Sequence, residues 1–199
     1  MKKHIQHNIE VTERIVSNQN SSSLNKMKEL RYNNIVSVVT SHVNKDLPLL
    51  DIGARKGELL DMFNNEGFKH LYAIEIWSTG IEIIKKKKYN IVKGQAESFC
   101  LSNIFGTVIM SHVLEHCPNP DIVIQLIYNS LVVNGMVYIE VPAQKKGDAP
   151  ISAGHYSFFP DLNSIISLFD DKWVLIDSGN LRKRKKNIFI LMQKIKDGK

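Results

Sequence analysis

Cysteine is nearly absent from this chain. Only Cys100 and Cys117 occur in 199 residues, and no C-x-x-C spacing exists. That excludes a disulfide framework and a redox dithiol, and leaves two reduced, buried thiols as the expectation. No apolar run approaches the ~20 residues of a spanning helix, so no membrane partner is expected. Nor does a charged-then-apolar leader open the chain, and a cytoplasmic location is expected. The net charge is +6, yet its two dense runs, residues 85–88 and 182–186, have no aromatic residues between their cations. A stacking platform for single-stranded nucleic acid needs such aromatics, so the runs read as solvated charge. The first run closes a helix that starts near Thr79, where cations oppose the negative end of the helix dipole. The second joins the apolar runs 172–177 and 188–192, read as two antiparallel strands. With 43% hydrophobic residues the chain can bury one substantial core, and it is too short for a second full domain.

Against these absences stands one dense signal. In residues 47–57, Leu-Pro-Leu-Leu-Asp-Ile-Gly-Ala-Arg-Lys-Gly, an apolar run ends in Asp51 and passes into two spaced glycines, Gly53 and Gly57. That is a buried strand breaking into a tight turn that opens a helix, with glycines where the backbone takes positive φ or must approach a ligand closely. A phosphate-cradling dinucleotide turn reads G-x-G-x-x-G and needs no acid at the strand end. Asp51 suits a ligand that carries positive charge. One helix-length later the β-type run 69–77 ends in Glu75, whose two oxygens suit a vicinal diol such as a ribose. The strand and polar turn 91–98 carries Gln95, placed to accept from an exocyclic amine. Thr107 to Met110 reads as another buried strand. After it come a helix over 121–131, the turn Asn134-Gly135 and a strand over 136–142. Upstream, residues 1–23 form a polar arm, and 26–43 read as an amphipathic helix with Met27, Leu30, Ile35, Val38 and Val39 on its apolar side.

Taken in order, these parts resemble class I S-adenosylmethionine-dependent methyltransferases, in particular a small single-domain subgroup in which His-Val-Leu-Glu-His, here residues 112–116, follows the fourth strand. The resemblance implies a Rossmann-like three-layer α/β sandwich whose seven-stranded, mostly parallel sheet ends in a C-terminal antiparallel hairpin. Residues 47–199 would form the core, with the arm and helix of 1–46 packed on it in the same domain. It implies S-adenosylmethionine as cofactor and S-adenosylhomocysteine as product. Asp51, Gly53 and Gly57, with Ala54 and Arg55 in the same loop, would surround the methionine part. Glu75 with Ile76 would hold the ribose, Gln95 with Ala96 would border the adenine, and Ser111 and His112 would flank the methyl donor. Three positions depart from the family pattern: Arg55 stands where it has its middle glycine, Gln95 where it has an acid, and Gly106 where an acid opens the fourth strand.

As letters, residues 112–116 also match H-x-x-E-H, a zinc-protease pattern. That pattern needs a continuous helix and a further acidic ligand downstream. Here the segment leaves a strand, meets Pro118 and Pro120, and no glutamate follows Glu140. No metal is expected. Methyl transfer to a hydroxyl needs a base, and histidine titrates near neutral pH. The candidates are His112, then His155, then His116. Tyr156 and Phe158 are placed to wall the acceptor, and Arg31 and Tyr32 could face it, although their spacing also fits the helix's exposed side. The expected acceptor is a small molecule such as a sugar, lipid precursor or other metabolite. The rivals are a non-catalytic S-adenosylmethionine-binding protein and a dinucleotide-dependent oxidoreductase.

Overall fold

The computed structural model describes residue 10 and residues 22–99, 103–148, 154–181 and 187–196. The expectations for most of the arm, for Cys100 and for the basic run 182–186 lie outside these residues. Seven strands form one sheet: β1 Leu49–Ile52, β2 Leu71–Glu75, β3 Asn90–Lys93, β4 Phe105–Ser111, β5 Leu131–Pro142, β6 Trp173–Leu181 and β7 Asn187–Lys194. Their order is β3-β2-β1-β4-β5-β7-β6. β3 through β5 are parallel, and β7 runs antiparallel to both β5 and β6. All four β1 residues and six of the seven in β4 are buried, which is why these strands read as mostly apolar, with Asp51 and Thr107 as the buried polar exceptions. β3 and β6 are the edges, and both are largely exposed.

Helices cover both faces and alternate residues of each strand serve them. α1 Ser22–Thr40, α2 Glu58–Asn65 and α3 Ser78–Lys86 share a core with Leu49, Leu71, Ile109 and Tyr138. α4 Pro120–Ser130 and α5 Leu162–Ile166 pack with Leu50, Ile52, Val108 and Ile190 on the opposite face. α1 differs from its sequence reading in which stripe it buries. Leu30 is 60% exposed, whereas Tyr32, expected on the polar side, is buried with Ile35, Val36 and Val39. A 3.6-residue period through Ile35 and Val39 brings position 32 onto the same face, and Arg31 stacks over the Tyr32 ring at 5.2 Å. The turn expected at 134–135 is instead a bulge inside β5: Asn134 has φ 65°, and pairing with β4 jumps from Leu131 to Met136. Lys85 and Lys86 occupy the last turn of α3, as its dipole favours.

This topology positions a crevice. From β1 the chain winds outward through β2 and β3, then returns to β4 on the other side of β1 and winds through β5. The carboxyl ends of β1 and β4 therefore meet at a point where the winding reverses, and ligands of open α/β sheets bind in such places. Gly80 lets the start of α3 close on the loop after β1, because a Cβ there would sit 2.2 Å from the Arg55 carbonyl oxygen and 2.8 Å from the Trp77 ring. Gly80→Ala should cost about 1–3 kcal/mol through overpacking. Thermal unfolding checks this; an unchanged midpoint would show that the loop and helix are not in close contact.

Candidate active site

The loop after β1 carries three positive φ values in five residues, Gly53 at 79°, Arg55 at 53° and Gly57 at 71°. Glycine adopts this conformation freely, whereas a left-handed non-glycine costs roughly 1–2 kcal/mol. What holds Arg55 there is Glu75 at the end of β2. Its carboxylate accepts the Arg55 backbone N–H at 2.7 Å, and its other oxygen accepts the Ile76 and Trp77 N–H groups at 2.7 and 2.8 Å. Gly53 N–H donates to the Ile74 carbonyl at 2.8 Å, so the loop and the end of β2 are stitched twice. A Cβ on Gly53 would meet Val113 Cγ2 at 2.4 Å, which fixes the loop against the segment after β4.

Glu75 thus spends three of its roughly four acceptor sites on backbone. Burial pushes its pKa up even so. Asp51, at the end of β1, is buried, and its pKa is raised well above the usual carboxylate value by burial and by the charges of Glu75 and Glu58. The floor of the crevice is therefore strongly acidic. Gly94 N–H donates to the Glu75 carbonyl at 3.1 Å, which places half-buried Gln95 and buried Ala96 just beyond it.

At the end of β4, His112 sits at φ 56° with its backbone N–H on the Glu140 carbonyl at 2.8 Å. Its Nδ1 lies 3.1 Å from Glu115 Oε1. Its Nε2 lies 2.9 Å from Asn187 Nδ2, which donates to Glu140 Oε1 at 2.6 Å. Burial opposes charging this ring, but the hydrogen bonds to Glu115 and Glu140 outweigh it and the pKa is raised. Both ring nitrogens are engaged. The residue ranked first as a base is a clamp between two buried acids, with no nitrogen left to take a proton from an acceptor.

The other two histidines lie together. His116, on the single 3-10 turn Leu114–His116, and His155 stack edge to face at 5.0 Å. His116 Nδ1 bonds the Gly154 carbonyl at 2.9 Å and His155 Nδ1 bonds Gln144 Oε1 at 2.7 Å. Burial lowers the pKa of His155. The backbone joins these segments, since Tyr156 and Ser157 N–H groups donate to the Glu115 carbonyl at 2.8 and 3.1 Å. Of the expected acceptor wall, Tyr156 is exposed, Phe158 is half-buried and neighbouring Phe159 belongs to the core.

Sequence reading passed over Glu140, Tyr138, Asn34 and Asn187. Six buried polar atoms make no well-formed hydrogen bond among the described residues: Arg31 Nε, Asn34 Nδ2, Ser111 Oγ, Glu115 Oε2, Tyr138 Oη and Glu140 Oε2, with Tyr138 within reach of Asn34 and Glu140. They come from α1, the ends of β4 and β5, and the turn after β4. Glu140 lies between Ile139 and Val141 in a buried strand, and an acid in such a place was the one signal available.

The chain matches the methyltransferase domain family over residues 14–175. It belongs to that family. No curated protein sequence matches it. Among solved structures, this methyltransferase resembles the N-methyltransferase NodS from Bradyrhizobium japonicum WM9 in complex with S-adenosylhomocysteine, at 13% identity, 92% and 96% coverage of the two chains and a TM-score of 0.71. It also resembles the 1,6-didemethyltoxoflavin-N1-methyltransferase of Burkholderia thailandensis, at 14%, 93% and 87%, and 0.71. A third is the [4+2]-cyclase SpnF, at 12%, 81% and 80%, and 0.68. These likenesses concern the fold.

Two variants test the acidic floor of this methyltransferase. Because the folded pKa of Asp51 is raised, the folded state binds protons more tightly than the unfolded chain, and stability falls as pH rises above about 4 toward that raised value. Asp51→Asn should therefore match the parent near pH 4 and melt about 2–4 °C higher at neutral pH. Glu75→Ala should melt at least about 4 °C lower, because three buried N–H groups lose their acceptor. Calorimetry across pH checks both; a destabilised Asp51→Asn at pH 7 would mean that the buried charge has a partner.

Proposed function

We propose that this methyltransferase moves a methyl group from S-adenosylmethionine to a hydroxyl of a small molecule such as a sugar, a lipid precursor or another metabolite. The observation that carries this reading is the set of poorly partnered polar atoms beside His112. Arg31 Nε and Ser111 Oγ are buried without partners, and Tyr138 meets Asn34 and Glu140 only through imperfect hydrogen bonds, an arrangement that costs free energy unless a polar guest satisfies it. An apolar acceptor would leave that cost in place.

The crevice fits the cofactor's chemistry. Asp51 and the loop Gly53, Ala54, Arg55 and Gly57 would hold the methionine part, whose ammonium suits an acidic floor. Glu75 and Ile76 would meet the ribose, Gln95 and Ala96 the adenine, and Ser111 and His112 the side where the methyl is presented. When bound, S-adenosylmethionine supplies a methyl already activated by its sulfonium. The protein's own work is then alignment, exclusion of water and acceptance of one proton from the hydroxyl. His112 aligns: clamped by Glu115 and Asn187, it fixes the segment after β4. The proton leaves toward His155 and His116, whose Nδ1 atoms donate to carbonyl oxygens and whose Nε2 lone pairs remain available. Tyr156 and Phe158 follow His155 in the same segment.

A second reading, binding without methyl transfer, is favoured by two specifics. Arg55 takes a left-handed conformation where the family has glycine, and Glu75 is already bound to backbone. The fold neighbour SpnF, named as a cyclase, illustrates that this architecture alone does not fix a reaction.

Incubation with methyl-labelled S-adenosylmethionine and a panel of sugars, phenols and hydroxy acids separates the two. The hydroxyl reading expects labelled ether product, with His155→Ala slowing turnover about a hundredfold or more while S-adenosylhomocysteine affinity stays within about twofold. Label transferred only to amines or thiols would overturn the hydroxyl assignment, and binding with no transfer to any panel member would favour the non-catalytic reading.

A further inference from the structure

We propose that Glu115, His116 and His155 bind a divalent transition-metal cation. A carboxylate oxygen of Glu115 and one ring nitrogen each of His116 and His155 lie within 4.8 Å of one another. The hydrogen bonds around them fix what these atoms present. The Gly154 carbonyl can only accept, so His116 Nδ1 carries the proton there, and Gln144 Oε1 does the same for His155. In each neutral ring Nε2 then holds a lone pair. The carboxylate is acceptor-only as well, and Glu115 Oε2 is buried with no hydrogen-bond partner among the described residues. The cluster therefore offers two Nε2 lone pairs and a carboxylate, all of them acceptors. A cation in their midst turns that repulsion into attraction, and it offsets the cost of leaving a carboxylate 1% exposed with one oxygen unpaired.

Every donor also has an outer partner that orients it, as metal ligands do. Gly154 holds His116, Gln144 holds His155, and His112 holds Glu115 through Oε1 at 3.1 Å. Backbone bonds from Tyr156 and Ser157 to the Glu115 carbonyl keep the two segments together. Metal–ligand distances of about 2.0–2.2 Å put ligand atoms roughly 3–3.5 Å apart, a closure of up to about 1.5 Å that side-chain rotation supplies. Two imidazoles and one carboxylate suit Zn²⁺, Co²⁺ or Fe²⁺ and disfavour Mg²⁺ and Ca²⁺, which take oxygen shells. The H-x-x-E-H letters thus serve a ligand set other than the protease one. His112 is the outer partner rather than a ligand, and the third ligand, His155, arrives by a loop. Three protein ligands leave positions open for an acceptor oxygen, and with an ion bound the two Nε2 atoms hold it in place of taking the acceptor's proton. Only that last role rests on the methyltransferase reading.

The test uses the full chain after dialysis against chelator, without S-adenosylmethionine. Co²⁺ is titrated by its visible absorption and Zn²⁺ by competition with a chromophoric chelator. The expected result is one ion per chain, displaced by neither millimolar Mg²⁺ nor Ca²⁺. His116→Ala, His155→Ala and Glu115→Gln should each weaken binding by at least about a hundredfold. His70→Ala, an exposed histidine before β2, should leave it unchanged. Circular dichroism reports folding of each variant, and if His155→Ala does not fold, His155→Gln carries the same expectation. Absence of a one-to-one complex, or unchanged affinity in the histidine variants, would overturn the proposal and leave a proton as the shared guest. S-adenosylhomocysteine calorimetry is run in parallel. Metal binding without nucleoside binding would sink the methyltransferase reading alone, and the reverse would sink the metal alone.

Discussion

Four buried carboxylates set the terms of this structure: Asp51, Glu75, Glu115 and Glu140, all at or just beyond the carboxyl ends of the parallel strands. A charge taken out of water has to be compensated or neutralised. Each acid meets that demand differently. Glu75 gathers three backbone N–H groups and so shapes the loop after β1. Glu115 pairs with His112, which holds its pKa down against burial, and Glu140 receives the Asn187 amide. Asp51 has its pKa pushed up by burial and by neighbouring acids. Lys194, the one buried cation among the described residues, spends its ammonium on the Tyr128 and Leu131 carbonyls, so it does nothing to neutralise this edge. The negative potential is left for a ligand.

The same constraint explains the backbone strain. Arg55 and His112 both stand in the left-handed region, and both are held there by acids or their carbonyls: Arg55 by the Glu75 carboxylate, His112 by the Glu140 carbonyl and the Glu115 side chain. Strain of this kind persists where surrounding contacts over-determine it, and it gathers at functional sites. Here it turns one loop toward the crevice and one ring into a brace between β4, β5 and β7.

Much of the fold was legible because buried parallel strands cannot hide. Leu49 to Ile52 and Thr107 to Met110 are buried on both faces and mostly apolar, and the hairpin announced itself through the runs at 172–177 and 188–192. Alternation failed where the period was ambiguous, at Leu30 and Tyr32 of α1, and where a bulge absorbed the turn at Asn134. Within the site, Asp51, Gly53, Glu75 and His112 were visible as types at spacings. Their contacts were not. That Glu75 would face backbone, that His112 would be clamped by residues 28 and 75 positions away, and that His155 would join His116 all depend on long-range packing that no local spacing encodes. The H-x-x-E-H letters do not form the protease helix, because a strand end followed by a 3-10 turn points its residues differently from a helix.

Central to this account is the proposal that the crevice's acids select an S-adenosyl sulfonium or thioether nucleoside over a dinucleotide. Calorimetric titration of the full chain with S-adenosylhomocysteine and, separately, with NAD tests it most directly. The account predicts one-to-one binding of S-adenosylhomocysteine in the low-to-middle micromolar range, about 7 to 8 kcal/mol, and no measurable heat from NAD. Binding of NAD at comparable affinity, or no binding of S-adenosylhomocysteine at all, would contradict it.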